Sequence, residues 1–436
     1  VVVTFSISNF RSFLTEETLS LVASGRLSGS HENHTLPIPD SNERVLRTAV
    51  LYGANGAGKS NVLKALTYLQ AMALRVPERS AGTGREAFRF ADVRTKPSVL
   101  DLQFIANGKL YRYGIKVDAE HVREEWLIQV RGSRENVIFE RALNENGDVV
   151  VEFGSVGRPS EKLTSLAGAG GRGNHTFLAF AFASLEKSRD LGEEIKDVLE
   201  WFEDSHLTII GPTQRLTKLP LLLAGNPELL AFNNAFLRAV STGVDCLTVE
   251  KSALTEQEVS RLATRIGRAS EEHQVDLETG TIYEYKVGAV HCHQPGQAEV
   301  LDLSEESDGT RRLLDLTPAL FRLQNTPAVF CIDEIDRSLH PQLVRKYVEF
   351  FLESCPGNRQ LIMTTHESNL LDQDLLRRDE IWFVEKDQAG ASRMYSLLDF
   401  KVRKDLEIRK GYLQGRFGAV PFLGDVDRLM EAAARE

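Results

Sequence analysis

The chain has 436 residues, 42% of them hydrophobic and 26% charged, and a formal net charge of −10. The length suits about three domains, or one large α/β unit carrying an insertion, and the acidity disfavours a surface that grips nucleic acid throughout by counterion release. No apolar run approaches the roughly 18 residues of a membrane span, and Cys246, Cys292, Cys331 and Cys355 form no CxxC pair, against a disulfide framework or a cysteine zinc site.

The chain begins Val1-Val2-Val3-Thr4-Phe5-Ser6-Ile7. This alternation is that of a strand, with no basic region or long apolar region, so no secretory signal is expected and the reading is cytoplasmic. A second β-type run, Thr48 to Leu51, leads into Gly53-Ala54-Asn55-Gly56-Ala57-Gly58-Lys59-Ser60, and Val62, Leu63 and Leu66 then continue at helical spacing. A strand, a loop with the spacing GxxxxGK[ST] and a helix make a phosphate-binding loop: its N–H groups close on phosphate oxygens, Lys59 reaches the β/γ-phosphates and Ser60 supplies a Mg²⁺ ligand. Gly53, Asn55, Gly56, Gly58, Lys59, Ser60 and Asn61 are the expected nucleotide-binding residues.

After a helix over about 59–74, a β-rich stretch is expected. Leu100, Leu102 and Phe104 alternate, Asn107-Gly108 is a hairpin signal, and Leu110 to Val117, Trp126 to Val130, Val137 to Phe139 and Val149 to Phe153 continue an antiparallel meander. The Ser/Gly/Arg-rich segment from Gly154 to Gly173 reads as a mobile loop. From Thr176 the pattern turns helical through Leu185, Ile195 to Phe202, Leu229 to Val240 and Glu256 to Ile266, without the heptads of a long coiled coil. His291-Cys292-His293 reads as structural, because in a strand the two imidazoles share one face and offer only two ligands.

Further along, Glu306-Ser307-Asp308-Gly309-Thr310 stands before Arg311-Arg312-Leu313-Leu314 and is placed to open a helix. Ala328 to Ile332 is a continuous apolar run, as in a buried parallel strand, and ends in Asp333-Glu334. In such a Walker B arrangement Asp333 holds Mg²⁺ and Glu334 orients and deprotonates the attacking water. Leu361-Ile362-Met363 is a further apolar strand, and His366 follows it 33 positions after Asp333, where a γ-phosphate sensor would sit. Glu367 reads as a capping or surface carboxylate. Lys401 to Arg416 carries six basic and two acidic residues and reads either as a basic patch or as a solvated helix face.

The order of phosphate loop, Ser307–Thr310 signature, Asp333-Glu334, a D-loop-like Asp336 to Pro341 and His366 resembles ABC-type ATPases of the SMC and RecF lineage within the AAA family. The segments Ser6 to Phe13, Glu306 to Thr310 and Tyr412 to Gly418 further resemble the abortive-infection, phage-defence group, some members of which pair with a Toprim-like nuclease. The signature departs from the transporter and SMC patterns in lacking the double glycine. A Q-loop glutamine is not placed, Gln103 being a candidate, and 274 positions separate Lys59 from Asp333.

The resemblance implies an α/β fold: an ABC-type ATPase head with a mixed β-sheet and P-loop, plus an inserted antiparallel β meander and a compact helical lid. The expected domains are 1–153, an N-terminal ATPase lobe; 154–290, the helical lid; 291–400, a C-terminal lobe with signature, Walker B and switch histidine; and 401–436, a basic segment. It also implies ATP and Mg²⁺ as cofactors, with Lys59, Glu334 and His366 catalytic and Ser60 and Asp333 holding the metal. Two heads would sandwich ATP as a homodimer or within a higher oligomer, Ser307, Gly309 and Thr310 acting across the interface. The implied role is a switch in anti-phage defence that controls an effector such as a nuclease. A RecF-like ATPase that binds DNA itself, and an assembly scaffold with negligible turnover, are the alternatives.

Overall fold

The computed structural model describes residues 1–156, 159–185, 189–203, 205–216, 218–255, 257–259, 273–275, 281–294, 297–400 and 407–420. Most of the helix expected over Glu256 to Ile266, and the start and end of the basic segment expected over 401–436, lie outside them. The chain divides into two compact units, one of Val1–Ile210, Pro327–Glu334 and Gly357–Glu436, the other of Gly211–Thr326 and Ile335–Pro356.

In the first unit, β1 (Val2–Ser8) and β2 (Glu17–Ser20) join the meander β6 (Ser98–Ala106), β7 (Lys109–Val117), β8 (Val122–Arg131), β9 (Arg134–Leu143) and β10 (Val149–Phe153) in one antiparallel seven-stranded sheet, ordered β10-β9-β8-β7-β6-β1-β2. The meander is thus continuous with the first strand of the chain. Its β6–β7 turn is Asn107-Gly108, both with positive φ (46° and 72°), as a two-residue hairpin with right-twisted strands demands. A two-stranded hairpin pairs β3 (Thr35–Pro37) with β4 (Arg44–Leu46).

The other large sheet of this unit has the order β11-β16-β17-β5-β18-β19, formed by β11 (Leu207–Ile210), β16 (Val329–Ile332), β17 (Gln360–Thr364), β5 (Thr48–Tyr52), β18 (Ile381–Lys386) and β19 (Ser392–Ser396). All pairs are parallel except β18 with β19, so the sheet is mixed, as expected from the sequence. Every residue of β5, β16 and β17 is buried, which explains why these strands read as unbroken apolar runs.

Helix α1 (Lys59–Leu74) buries Val62, Leu63, Leu66, Leu69 and Ala73 in the core of this unit. The segment expected to be a mobile loop contains α2 (Glu161–Ala169), because Ser160 caps it by accepting the Leu163 N–H and Leu163 and Ala167 bury one face. Helices α3 (Phe177–Leu185) and α4 (Glu193–Phe202) follow. Glu125, fully buried, accepts the N–H groups of Phe177 and Leu178 at the start of α3 (2.5 and 3.1 Å). Burial pushes its carboxyl above the usual range, while Arg141 and these N–H groups pull it back.

The two sheets of the first unit are stitched by Gln360 on β17. Its amide is inaccessible to water, accepts the Val2 N–H (2.7 Å) and donates to Val2 O and Leu46 O (2.9 and 2.8 Å).

The second unit, where much of the compact helical lid was expected, combines helices with strands. It holds α5 (Leu219–Gly225), α6 (Pro227–Ala239), α7 (Asp308–Asn325) and α8 (Pro341–Ser354), together with the antiparallel strands β12 (Cys246–Ala253), β13 (His273–Val275), β14 (Ile282–Gln294) and β15 (Gln297–Asp302). Leu247 on β12 and Val287 and Ala289 on β14 pack with Leu219, Leu229, Leu237 and Leu314 from the helices. The boundaries differ from 154–290 because residues up to Ile210 belong with the first unit, where α4 stacks Trp201 and Phe202 on Phe104 and β11 pairs with β16. Among the described residues no helix is long and apolar enough to cross a membrane.

Replacing Gln360 by Leu keeps the volume near but leaves one buried N–H and two buried carbonyls without this partner. At about 1–3 kcal/mol for a buried unsatisfied group, the midpoint of urea unfolding of Gln360→Leu should fall clearly below wild type, and Gln360→Glu should fall at least as far, because its buried carboxylate would face the Val2 and Leu46 carbonyl oxygens.

Candidate nucleotide site

Strand register sets the site. Ile332, Met363, Val50 and Ile381 lie in one row across β16, β17, β5 and β18. The next residues along these parallel strands bring Asp333, Glu334, His366 and Gly53 to the same, carboxyl, edge of the sheet. Open α/β sheets bind ligands at this edge.

The loop after β5 approaches its neighbours more closely than any side chain permits. A β-carbon on Gly53 would lie 2.2 Å from Val384 O, and one on Gly58, where φ is 118°, would lie 2.2 Å from Ser392 Oγ and 2.8 Å from Ser12 Oγ. These two serines form a directed chain. Ser392 Oγ lies 2.6 Å from Ala57 O and 2.7 Å from Ser12 Oγ, and Asn61 Nδ2 donates to Ser12 Oγ at 2.8 Å. Each hydroxyl has one proton, so the order that satisfies all three bonds is Asn61 to Ser12 to Ser392 to the Ala57 carbonyl. Asn61 thus braces the loop, and neither serine was signalled by motif spacing. Asn55 and Gly56 are exposed at its tip.

Helix α1 starts at this loop with no side-chain cap and no acidic residue in its first turn, which leaves its positive end available to an anion. Lys59, 5% exposed, donates to Gly53 O (2.8 Å), Ala54 O (3.3 Å) and His366 Nε2 (3.0 Å). An ammonium has only donors, so His366 accepts at Nε2 and carries its proton on Nδ1. His366 is exposed and Glu334 half-buried.

Asp333 is nearly buried, and its Oδ1 accepts from Ser60 Oγ (3.0 Å) and Thr364 Oγ1 (2.6 Å). Thr364 Oγ1 in turn accepts the Glu334 N–H at 2.8 Å. Glu334 has φ 48°, a left-handed conformation that costs a non-glycine residue roughly 1–2 kcal/mol, so Thr364 pins a turn that the backbone alone would not favour. Thr364 belongs to no motif in the sequence. The donors Ser60 and Asp333 are hard oxygens, side by side at the start of a helix, which suits Mg²⁺, an ion that takes one or two protein oxygens and completes its shell with water and phosphate.

The signature lies in the second unit. Ser307 caps α7, accepting the Thr310 N–H (3.1 Å), and is exposed; Thr310 is buried with its hydroxyl 2.9 Å from Ser307 Oγ. Gly309 faces the D-loop-like turn, where a β-carbon on it would lie 2.9 Å from Ser338 O. Glu306, one residue before the cap, is held by His291 Nε2 at 2.6 Å, so the histidine singled out on β14 steadies the turn. Glu367 caps the short turn after His366 by accepting the Asn369 N–H at 2.7 Å. Gln103 lies in the middle of β6, paired with Thr4 and Arg112, rather than in a loop. The C-terminal Tyr412 to Gly418 stretch, which spans the end of α9 (Ile408–Leu413), supports the site's sheet: Tyr412 and Phe417 stack on Phe383 of β18, and Tyr395 donates to Phe417 O.

Over residues 49–153 and 181–372 the chain matches the family described as AAA domain, putative AbiEii toxin, Type IV TA system, and it belongs to that family. No curated protein matches it by sequence. Among solved structures, the SMC head domain from Thermotoga maritima aligns at 13% identity with a TM-score of 0.40, over 91% of this chain and 98% of that one. The SmcHead bound to the C-winged helix domain of ScpA aligns at 13% identity with a TM-score of 0.42, over 91% and 97%.

Thr364→Val removes the hydroxyl while keeping its shape. Losing two buried bonds should lower stability by about 1–3 kcal/mol, measured as a drop in the thermal midpoint, and Thr364→Ser should recover most of it.

Proposed function

We propose that this AAA-family chain is an ATPase that binds and hydrolyses ATP with Mg²⁺ in the cytoplasm and works as a dimeric conformational switch. The observation that carries the reading is the convergence of Lys59, Ser60, Asp333, Glu334 and His366 at one sheet edge. The N–H groups of the glycine loop and the start of α1 would hold the phosphates. Lys59 would exchange its carbonyl and imidazole acceptors for phosphate oxygens, and His366, released from Lys59, would carry a proton on Nε2 and donate it to the terminal phosphate. Ser60 and Asp333 would hold Mg²⁺, which when bound supplies charge neutralisation of the phosphate oxygens. Glu334 takes the proton of the attacking water, and Thr364 fixes the direction of its backbone.

Ser307 and Gly309 would act on the nucleotide of a second copy, so that ATP closes the dimer and hydrolysis opens it. The exposure of Ser307 at the start of α7 supports this role. Thr310 would contribute by orienting Ser307. The family description, with its toxin and toxin–antitoxin terms, supports a place in bacterial defence against phage, where the ATP state would control an effector protein such as a nuclease.

The test is Glu334→Gln in the full chain. Loss of the base should lower steady-state ATP turnover by about 10²- to 10⁴-fold, while light scattering still registers ATP-dependent dimers. An unchanged turnover rate would refute the assigned base, and a mass that ignores ATP in both proteins would refute the switch.

A further inference from the structure

Phe90 has the most exposed large apolar side chain among the described residues, at 75%. The segment that carries it is nevertheless held in place. Asn9, in a left-handed turn after β1, donates through Nδ2 to Val93 O (2.9 Å) and Lys96 O (2.8 Å) and accepts the Phe88 N–H through Oδ1 (3.3 Å). The Arg11 N–H donates to Glu86 O at 2.7 Å, and its guanidinium pairs with the Glu86 carboxylate. Phe88 is buried and meets Phe90 edge to face, with centroids 5.7 Å apart. The Phe90 ring lies beside Gly390, its nearest atom 3.4 Å from where a β-carbon on that glycine would stand, and Lys386 Nζ is 5.9 Å from its centroid.

The position of this ring relative to the glycine loop follows from the same contacts. Arg11 precedes Ser12, and Gly390 stands two residues before Ser392, the two serines being packed against Gly58. The terminal-phosphate end of the site is fixed by Asp333 and His366 after β16 and β17, on one flank of β5. A triphosphate bound on the loop and α1 therefore carries its nucleoside towards the other flank, that of β18 and β19, where the turn at Gly390 and Phe90 stand.

We propose that Phe90 is the stacking platform for the base of the bound nucleoside triphosphate. The inference rests on the nucleotide-binding reading above and adds the residue that holds the base. A rigid aromatic face presented to water loses little freedom on stacking, and a base offers it a flat surface of similar size.

The experiment measures dissociation constants of the full chain for Mg·ATP and for Mg·tripolyphosphate by calorimetry, in wild type, Phe90→Ala and Phe90→Trp. Phe90→Ala should weaken ATP binding by about 5- to 100-fold and leave tripolyphosphate binding unchanged. Phe90→Trp should keep the wild-type affinity for ATP and lose indole fluorescence on adding ATP but not tripolyphosphate. Equal ATP affinity in wild type and Phe90→Ala, or a parallel loss of both ligands, would overturn the stacking role. A wild-type chain that binds neither ligand would instead overturn the nucleotide reading on which the role rests.

Discussion

In-register hydrogen bonding between β16, β17 and β5 is the constraint on which the site depends. The parallel pairs place Ile332, Met363 and Val50 side by side, so the chain leaves the sheet at the same level in three places far apart in sequence. A one-residue slip would turn each side chain to the opposite face. The buried strands resist such a slip because both faces are apolar and packed. At the edge, Thr364 ties the levels together: it spans Asp333 on one strand end and the Glu334 N–H in the next turn, while Asp333 reaches across to Ser60.

The same economy appears at the back of the glycine loop. Close packing of Gly58 against Ser12 and Ser392 leaves no room for a side chain, and Ser392 fixes the carbonyl of Ala57. Tyr412 and Phe417, stacked on Phe383, and Phe400, edge-on to it, stiffen the strand that lies beneath Gly53. The glycine loop is therefore gripped from segments far apart in the sequence at once.

Much of this was legible in the sequence. The glycine spacing, the apolar run ending in Asp333-Glu334 and the strand before His366 each joined a local pattern to a specific chemistry, and the meander followed from alternation and the Asn107-Gly108 turn. Other features were hidden for physical reasons. Ser12, Ser392 and Thr364 act through single hydroxyls whose partners are remote in sequence, and nothing local marks them. Helix α2 was obscured by its glycines, although Ser160 and Leu163 carried a cap signal. The strands β12 to β15 were missed because the packing that selects them comes from helices elsewhere in their unit. Thr310 is buried with its hydroxyl against Ser307 Oγ, a contact that the signature's position alone does not reveal.

Strand β5, which precedes the phosphate loop, takes both its sheet neighbours from the last third of the chain, β17 and β18. A polypeptide emerging from the ribosome exposes its amino-terminal half first, at roughly 5–20 residues per second. During that interval the glycine loop exists as sequence but has no flanking strands to shape it. Newly made copies consequently acquire the loop's final geometry only after residue 392 has left the exit tunnel, so a prematurely terminated product lacks the assembled pocket of the finished protein.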